Sequence, residues 1–477
     1  MGSNDVLSSR VSRRSIVKGA AAVAGAAALA GSAPSTRSAL AQDTVTVTWM
    51  SNQRHDRVAK EELFAQFSES DASLLPDGRR IQVQMNIFAD EYADQLLLAF
   101  QSGTPPDIYN MNQARIEVAN GWAEPADAWL AENPDIASSF LPGAFVPNRG
   151  IYGGQSYGLP MYAQTMRLYY NRRIFEEAGL DPNHPPATYS EFRQFAQQIT
   201  ENVPGTYGLI FGDKFPWVWW MNCTVPAMGA GSYYFDFATG RYNFNQPGIQ
   251  QAMQLLLDMK SDGSITPGTT TLTDDDARQQ FSFGTAGMII GGSWNPGVFN
   301  DQFQSTEDWE TAELPFPDSG PAGRFVQGIG DRYTVSAASQ NKEAAWQVMR
   351  YFYSVPIMTE MYTRGMGVMG VAAANTGQSD VRGVPKLAPT ANDVILPPEP
   401  ELPTQTPDYQ TVLSQIFAGD LDMATGLQQI TDQYNASLDA EIASGAIVAE
   451  DYIVPDFDPL TWQPGGGDAT PGATPAA

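Results

Sequence analysis

The chain has 477 residues, 43% hydrophobic and 11% aromatic, enough for a large packed core divided into two or three structural units. Its formal net charge of −26 sets it against nucleic-acid backbones and anionic membranes, and the surplus of acid reads as solubility. One cysteine, Cys223, excludes an intrachain disulfide, so the fold must hold by packing alone.

The chain opens with the three parts of an export signal. Ser12-Arg13-Arg14-Ser15-Ile16-Val17-Lys18 is a twin-arginine pattern, Gly19 to Ala33 is weakly apolar, and Ala39-Leu40-Ala41 is a small-residue cleavage site. The apolar stretch is too short and too interrupted by glycine to span a membrane. No cysteine stands near the cleavage site to carry a lipid anchor. The expectation is a signal over residues 1–41, read by the Tat export machinery, and a mature chain working in the periplasm or at the outer cell surface.

Thr44 to Trp49 alternates β-branched and apolar residues as a strand does, and Ile81 to Met85 repeats the pattern. Between them Arg57 to Phe67 places Leu63, Phe64 and Phe67 on one helical face. Tyr92 to Gln101 is an amphipathic helix stopped by Gly103, and Pro105-Pro106-Asp107-Ile108-Tyr109 starts a third strand. This βαβ rhythm predicts an α/β fold with an open sheet, whose ligand crevice lies beyond the carboxyl ends of the strands. Further strands and helices follow: Arg167 to Asn171, Arg172 to Ala178, Thr188 to Ile199 with Thr188 and Glu191 as a capping box, and Pro247 to Asp262 capped at Asn245. Asp274-Asp275-Asp276 opens a helix to Phe283, where three carboxylates suit the positive end of the helix dipole better than they suit calcium. Asn341 to Arg364 reads as one long helix and Leu421 to Ile442 as the last. From Gly465 the chain is Gly/Pro/Ala/Thr, and residues 461–477 are expected to form a disordered tail.

With these elements placed, the chain resembles the extracellular solute-binding proteins of ABC importers, of the sugar type akin to maltose-binding proteins. The resemblance rests on Gln101-Ser102-Gly103-Thr104-Pro105-Pro106-Asp107-Ile108, on Tyr157-Gly158-Leu159-Pro160 with Leu168 to Phe175, and on Thr188-Tyr189-Ser190-Glu191-Phe192. It rests also on Phe283 to Met288 with Gly291-Gly292-Ser293-Trp294, on Leu314-Pro315-Phe316-Pro317, and on Ser336 to Trp346, all in family order. It implies two lobes, each an open, mostly parallel sheet flanked by helices, joined by a discontinuous hinge that closes on the ligand. The implied lobes are residues 42–162 with 315–354, and 163–314 with 355–460. Crossings are expected near Met161 to Ala163, Thr311 to Leu314, and Ser354. The implied partners are a small carbohydrate and a membrane permease, bound by a monomer that needs no cofactor.

A sugar site needs flat rings for apolar sugar faces and planar polar groups for hydroxyls. The resemblance makes Trp294, after Gly291-Gly292, the foremost stacking candidate. Trp217, Trp219 and Trp220 cluster in a Phe-Pro-Trp-Val-Trp-Trp stretch and are further candidates. Polar and aromatic candidates at the lobe edge are Trp49 with Asn52 to Asp56, Asn112, Gln113, Gln164, Asp331, Arg332 and Tyr333. His55 and His184 are the only histidines and are expected to bind no metal. Gly154-Gln155-Ser156-Tyr157-Gly158 matches a nucleophile elbow, but Leu159-Pro160 forbids the helix that elbow requires. Gly365-Met366-Gly367-Val368-Met369-Gly370 matches a dinucleotide loop but follows a helix, where a strand is required. Two other readings stay open: a secreted glycoside hydrolase with paired carboxylates, and a receptor for a cationic solute such as a polyamine.

Overall fold

The computed structural model describes residues 44–464 apart from 89, 90 and 377; the twin-arginine segment and the tail from Gly465 lie outside them. Two sheets organise the described chain into two α/β lobes. The first runs, edge to edge, Arg80–Ile87, Thr44–Ser51, Ile108–Met111, Arg332–Val335 and Leu159–Pro160. The second runs Trp309–Ala312, Met166–Asn171, Ala286–Gly292 and Tyr207–Leu209.

Both sheets are mixed. Trp49 lies beside Ile108 in parallel register, while Arg332–Val335 enters antiparallel with Arg332 opposite Met111. Ala286–Gly292 runs parallel to Tyr207–Leu209 but antiparallel to Met166–Asn171. The reversed strands are those that arrive straight from the other lobe, with no crossover helix to turn them parallel. As a result the carboxyl ends of Thr44–Ser51 and Ile108–Met111 share an edge with the start of Arg332–Val335. In the second lobe, Gly292 at the end of its strand faces Met166 at the start of its own.

Each sheet has its own core. The first packs Val47, Leu63, Phe67, Ile108, Tyr333, Val348 and Met358; the second packs Leu168, Ile174, Phe192, Ile199, Ile249, Leu256, Val412 and Ile430. The helix Tyr189–Asn202 shows how sequence sets this: Tyr189, Phe192, Ala196 and Ile199 form its buried stripe, and Thr188 with Glu191 closes a capping box at its start.

The chain leaves the first sheet after Pro160 and enters the second at Met166. It returns between Ala312 and Arg332, later than the expected crossing at Thr311 to Leu314, because Leu314 and Phe316 still pack on the second core. The third crossing is displaced further. Ile357, Met358, Met361, Tyr362 and Leu387 remain in the first core, so the chain does not cross at Ser354 but between Leu387 and Val394. At Ser354 the expected single helix breaks into Lys342–Phe352 and Val355–Thr363. Pro356 sits in the first turn of the second piece; it lacks the N–H that a continuous helix would use.

Smaller corrections follow the same logic. The helix Pro247–Ser261 is capped at Gln246, not Asn245, since Pro247 takes its first position. The expected tail from 461 starts within ordered structure: Trp462 Nε1 donates to the Ile395 carbonyl at 3.1 Å, and the ring packs on Phe457.

At the crossings the backbone is laced together. Gly328 N donates to Gln164 O at 2.8 Å, Ala163 N to Val368 O at 2.8 Å, and Ser293 N to Thr165 O at 2.9 Å. Phe325–Val326 pairs in parallel with Asp393–Val394, joining the second and third crossings. Arg167 and Asp393, both 1% exposed, form a 2.8 Å ion pair beneath that ribbon. Among the described residues, no helix is long and apolar enough to cross a membrane.

Candidate functional site

A groove opens where the carboxyl ends of the strands in both lobes meet. It has two compartments of about 570 and about 430 Å3. Met111, Asn112, Trp217, Trp220, Gly328 and Gly330 line both, so the compartments adjoin.

The larger compartment is walled on one side by the turn after the first strand, Asn52 to His55, by Asn110 to Asn112, and by Asp331. The other wall is Phe215 to Trp217, Trp220, Trp294 and the first turns of the helix Asp274–Ser282. That helix is capped by Thr273, whose hydroxyl accepts from Asp276 N, while the Asp276 carboxylate reaches back to Thr273. Asp276 thus does the capping, and its two neighbours pair with arginines. Asp274 meets Arg278 at 2.5 Å, and Asp275 meets Arg54 of the facing lobe at 3.2 Å. Arg278 is 8% exposed and lies about 6 Å from both the Phe215 and Trp294 ring centres. A guanidinium held between two rings by a carboxylate is a fixed fork of donors beside a stacking surface.

On the first-lobe wall, Gln53 Nε2 donates to Asp331 Oδ1 at 3.0 Å. Burial pushes the Asp331 carboxyl up to about 6, against the pull of Lys60. Beneath them lies a buried charged cluster: Lys60 Nζ contacts Asp56 at 2.6 Å and donates to Tyr333 Oη at 2.9 Å, and Tyr162 Oη donates to Asp56. His55 Nε2 contacts the Met366 carbonyl at 3.0 Å, and burial, with Lys60 and Arg278 nearby, holds its imidazole down to about 4. This neutral ring anchors the turn that carries Asn52 and Gln53. Gln164 is 6% exposed; its Oε1 accepts from Ser293 Oγ and, at 3.2 Å, from Val368 N, which presses it into the hinge floor.

The smaller compartment is lined by Tyr152, Asn148, Arg149, Tyr233, Tyr234, Phe235 and the strap Leu396 to Glu399. Tyr234 Oη donates to Glu399 Oε1 at 2.7 Å, at the exposed rim of the compartment.

Of the residues singled out from sequence, Trp294, Trp217, Trp220, Gln164, Asn112 and Asp331 line the groove, and Arg332 lines its smaller compartment. Trp217 is the most open of the tryptophans at 56%, set edge-on to Trp220 with ring centres 6.4 Å apart. Trp219, Trp49 and Tyr333 are fully buried and line neither compartment. Trp219 points the other way from its two neighbours because its Nε1 donates to Asp213 at 2.6 Å and its ring packs on Phe211 and Phe417. Trp49 packs on Phe64, Tyr333 and Phe352 in the first core. Arg332 spends donors on the Gly158 and Ala144 carbonyls. Gln113 caps the helix Ala114–Ala119 outside the groove, its N–H bonded to Glu117 at 2.8 Å.

Sequence reading missed Tyr152, Tyr233, Tyr234, Arg278 and Glu399. The Tyr233-Tyr234-Phe235 run and the Pro397-Pro398-Glu399-Pro400 strap were visible signals; Arg278 had none beyond its place in a helix. The two motif decoys resolve as turns. Ser156 pairs with Ile151 in a hairpin, with Gly154 and Gly158 at φ 80° and 63°. Gly365, at φ 82°, follows the helix Val355–Thr363. His184 pairs with Asp181 at the surface, and no three His, Cys, Asp or Glu among the described residues are grouped to hold a metal.

Residues 81–358 match the family model of the bacterial extracellular solute-binding proteins. A putative binding protein of Brucella abortus (strain 2308) is 27% identical over 238 residues, 50% of this chain and 55% of that protein, so the match spans about half the length of that relative. The maltotriose-binding protein of Pyrococcus abyssi is 22% identical over 334 residues, 68% of this chain and 67% of the relative. Among solved structures, an ABC transporter solute-binding protein from Thermotoga lettingae TMO, bound with alpha-D-tagatose, superposes with a TM-score of 0.67 at 23% identity, covering 83% of this chain and all of the other.

Proposed function

The chain belongs to the bacterial extracellular solute-binding protein family, and from that premise we propose that it captures a carbohydrate in the groove between its lobes and delivers it to the permease of an ABC importer. One observation carries the reading. Trp217, Trp220 and Trp294 line a single groove together with hydroxyl-pairing groups, the Gln53–Asp331 pair and the Arg278 fork. Rings serve the apolar faces of pyranoses, and the paired polar groups serve their hydroxyls. Among the sequence candidates, Trp294, Trp217, Trp220, Asn112 and Asp331 are the proposed contacts, and Gln164 is proposed to act through the hinge.

The same charges argue against a polyamine. Asp274 and Asp275 are bound to Arg278 and Arg54, and Asp331 is held by burial toward its neutral form, so a cation would find the groove's carboxylates already engaged. We further propose that the twin-arginine segment exports the chain as a monomer, and that replacing Arg13 and Arg14 by lysine retains it inside the cell.

Titration calorimetry of the ligand-stripped chain against a panel of mono- to oligosaccharides tests the carbohydrate reading. Saturable binding with a negative heat-capacity change is expected. A folded sample that binds no sugar, while a polyamine binds, would replace this reading with a receptor for cations.

A further inference from the structure

We infer that Lys60 is a positioning residue for the groove: from inside the first lobe it holds both ends of the turn that presents Asn52 to His55 to the ligand. The inference rests on the carbohydrate reading for its affinity readout, and a second readout, taken without ligand, stands apart from it.

The place of Lys60 in its helix is the first observation. The helix Arg57–Glu69 buries Ala59, Lys60, Leu63, Phe64 and Phe67, so a lysine takes a position in an apolar stripe. Neither its side chain nor that of Asp56, 2.6 Å away, has exposed surface. Its Nζ lies 5.9 Å from the Trp49 ring centre and 6.0 Å from that of Phe352. Burial works against the charge, but Asp56 and Tyr333 outweigh it and raise the ammonium above its ordinary value. Stability does not account for such a pair, because apolar residues of like volume in its place are often neutral or stabilising. What the pair supplies is direction, since charge-assisted bonds in a dry interior are short and oriented.

Those bonds converge on one turn. The strand Thr44–Ser51 ends at Ser51, and the helix Arg57–Glu69 starts after its N-cap Asp56, so the groove-lining residues Asn52 to His55 are slung between these two positions. Lys60 fixes Asp56 directly. It fixes Ser51 through Tyr333, whose Oη accepts from Nζ at 2.9 Å and lies 2.6 Å from Ser51 Oγ. Ser51 Oγ accepts from Gln53 N at 3.0 Å, and Gln53 Nε2 reaches on to Asp331. The Asp56 carboxylate also accepts from Tyr162 Oη on the first crossing, and Met161 N beside it donates to the Asp331 carbonyl at 2.8 Å. One ammonium thus sets the turn, the Gln53–Asp331 pair and the first crossing together. Ser51, Asp56, Lys60, Tyr162 and Tyr333 line neither compartment, so the network shapes the wall from behind.

The test compares the mature chain with two variants. One combines Lys60→Met with Asp56→Asn and so strands no charge; the other, Tyr333→Phe, cuts the route to Ser51 and keeps the ring. Calorimetry with glucose, maltose, maltotriose and xylobiose gives Kd, and amide hydrogen exchange of the ligand-free chain reads the turn itself. For the tightest of these sugars, Kd is expected to weaken about tenfold or more in the double variant and about threefold in Y333F, at unchanged stoichiometry. Exchange across Ser51 to Asp56 should quicken about tenfold, while Leu168 to Phe175 in the second lobe keeps its protection. In a Gln53→Ala background the Lys60 and Asp56 changes should cost little more affinity, because the group they position is gone. A lysine that only supports the core would shift the denaturant midpoint and leave the Kd of the folded protein alone. Unchanged Kd or unchanged exchange at the turn in the folded variants, or full additivity with Q53A, would overturn the inference and leave the carbohydrate reading intact. If none of the four sugars binds the wild type, the carbohydrate reading falls, and exchange at the turn alone upholds or overturns the role of Lys60.

Discussion

Arg54 Nη1 lies 3.2 Å from Asp275 Oδ2, tying the turn after the first strand to the opening of a helix in the facing lobe. Both side chains are partly solvated, so the pair contributes at most about 1 kcal/mol and weakens in salt. Its effect should therefore appear in lobe closure more than in folding. Asp275→Asn is expected to leave the melting temperature nearly unchanged and to speed ligand release about two- to fivefold at low salt. The difference from wild type should shrink in 0.5 M sodium chloride. Stopped-flow displacement at two ionic strengths checks this, and identical release rates at low salt would remove the pair's role as a clasp.

The tryptophans next to one another in sequence should separate cleanly by substitution. Trp217→Ala removes an exposed ring and is expected to change stability by no more than about 0.5 kcal/mol while weakening sugar binding at least tenfold. Trp219→Ala empties a core position and should cost about 3–5 kcal/mol of stability. Denaturant melts and calorimetry on the two variants give both readings. Equal stability losses would mean that the two rings share one environment.

Glu117 supplies a pH test. It is 3% exposed, its Oε1 accepts from the N–H groups of Asn112 and Gln113 at 2.9 and 2.8 Å, and burial lifts its carboxyl from 4.5 to about 7. Below pH 4.5 the group is protonated in both folded and unfolded chains, and its contribution is fully present. As pH rises from 4.5 to 7 the unfolded chain gives up the proton first, so stability falls; above 7 the loss is complete. Glu117→Gln keeps the acceptor and cannot ionise. Its stability relative to wild type should rise across that window and then stay level. Urea midpoints at four pH values measure it, and a constant gap between the proteins would show that Glu117 ionises normally.

Gly367 sets the hinge floor. Its φ of +131° belongs to glycine, and an added Cβ would stand 2.6 Å from the Gln164 amide. Gly367→Ala is expected to cost about 1–3 kcal/mol, or more if Gln164 is driven off Ser293 and Val368. Small-angle scattering should then show less compaction on ligand addition. A variant that melts and compacts like wild type would argue that the floor yields easily.

How much of this was legible beforehand follows from the range of each signal. The strand Thr44–Ser51 and the helix Tyr189–Asn202 announce themselves by alternation, stripe and cap, which are local. The break at Ser354 was also local, since Pro356 marks it, but the apolar stripe running on either side obscured it. The displaced crossings were not local. Leu314 belongs to the second core and Met358 to the first because of partners far along the chain, and no window of sequence contains those partners. The same holds in the groove. Trp217, Trp219 and Trp220 look alike as letters; Asp213 and Phe417 decide which one turns inward. Asp274 and Asp275 read correctly as helix-opening carboxylates, yet only the fold brings Arg54 within reach of one of them.

The interleaving of the two cores carries a consequence for biogenesis. Val47, Leu63 and Phe67 emerge early from the ribosome, but the residues that cover them, Val348, Met358 and Leu387, are made only after the whole middle of the chain. The leading segment must therefore wait with its apolar side uncovered, and neither half can mature as an independent unit during translation. Truncation anywhere before Leu387 should yield a product that chaperones hold and proteases clear, never half a receptor.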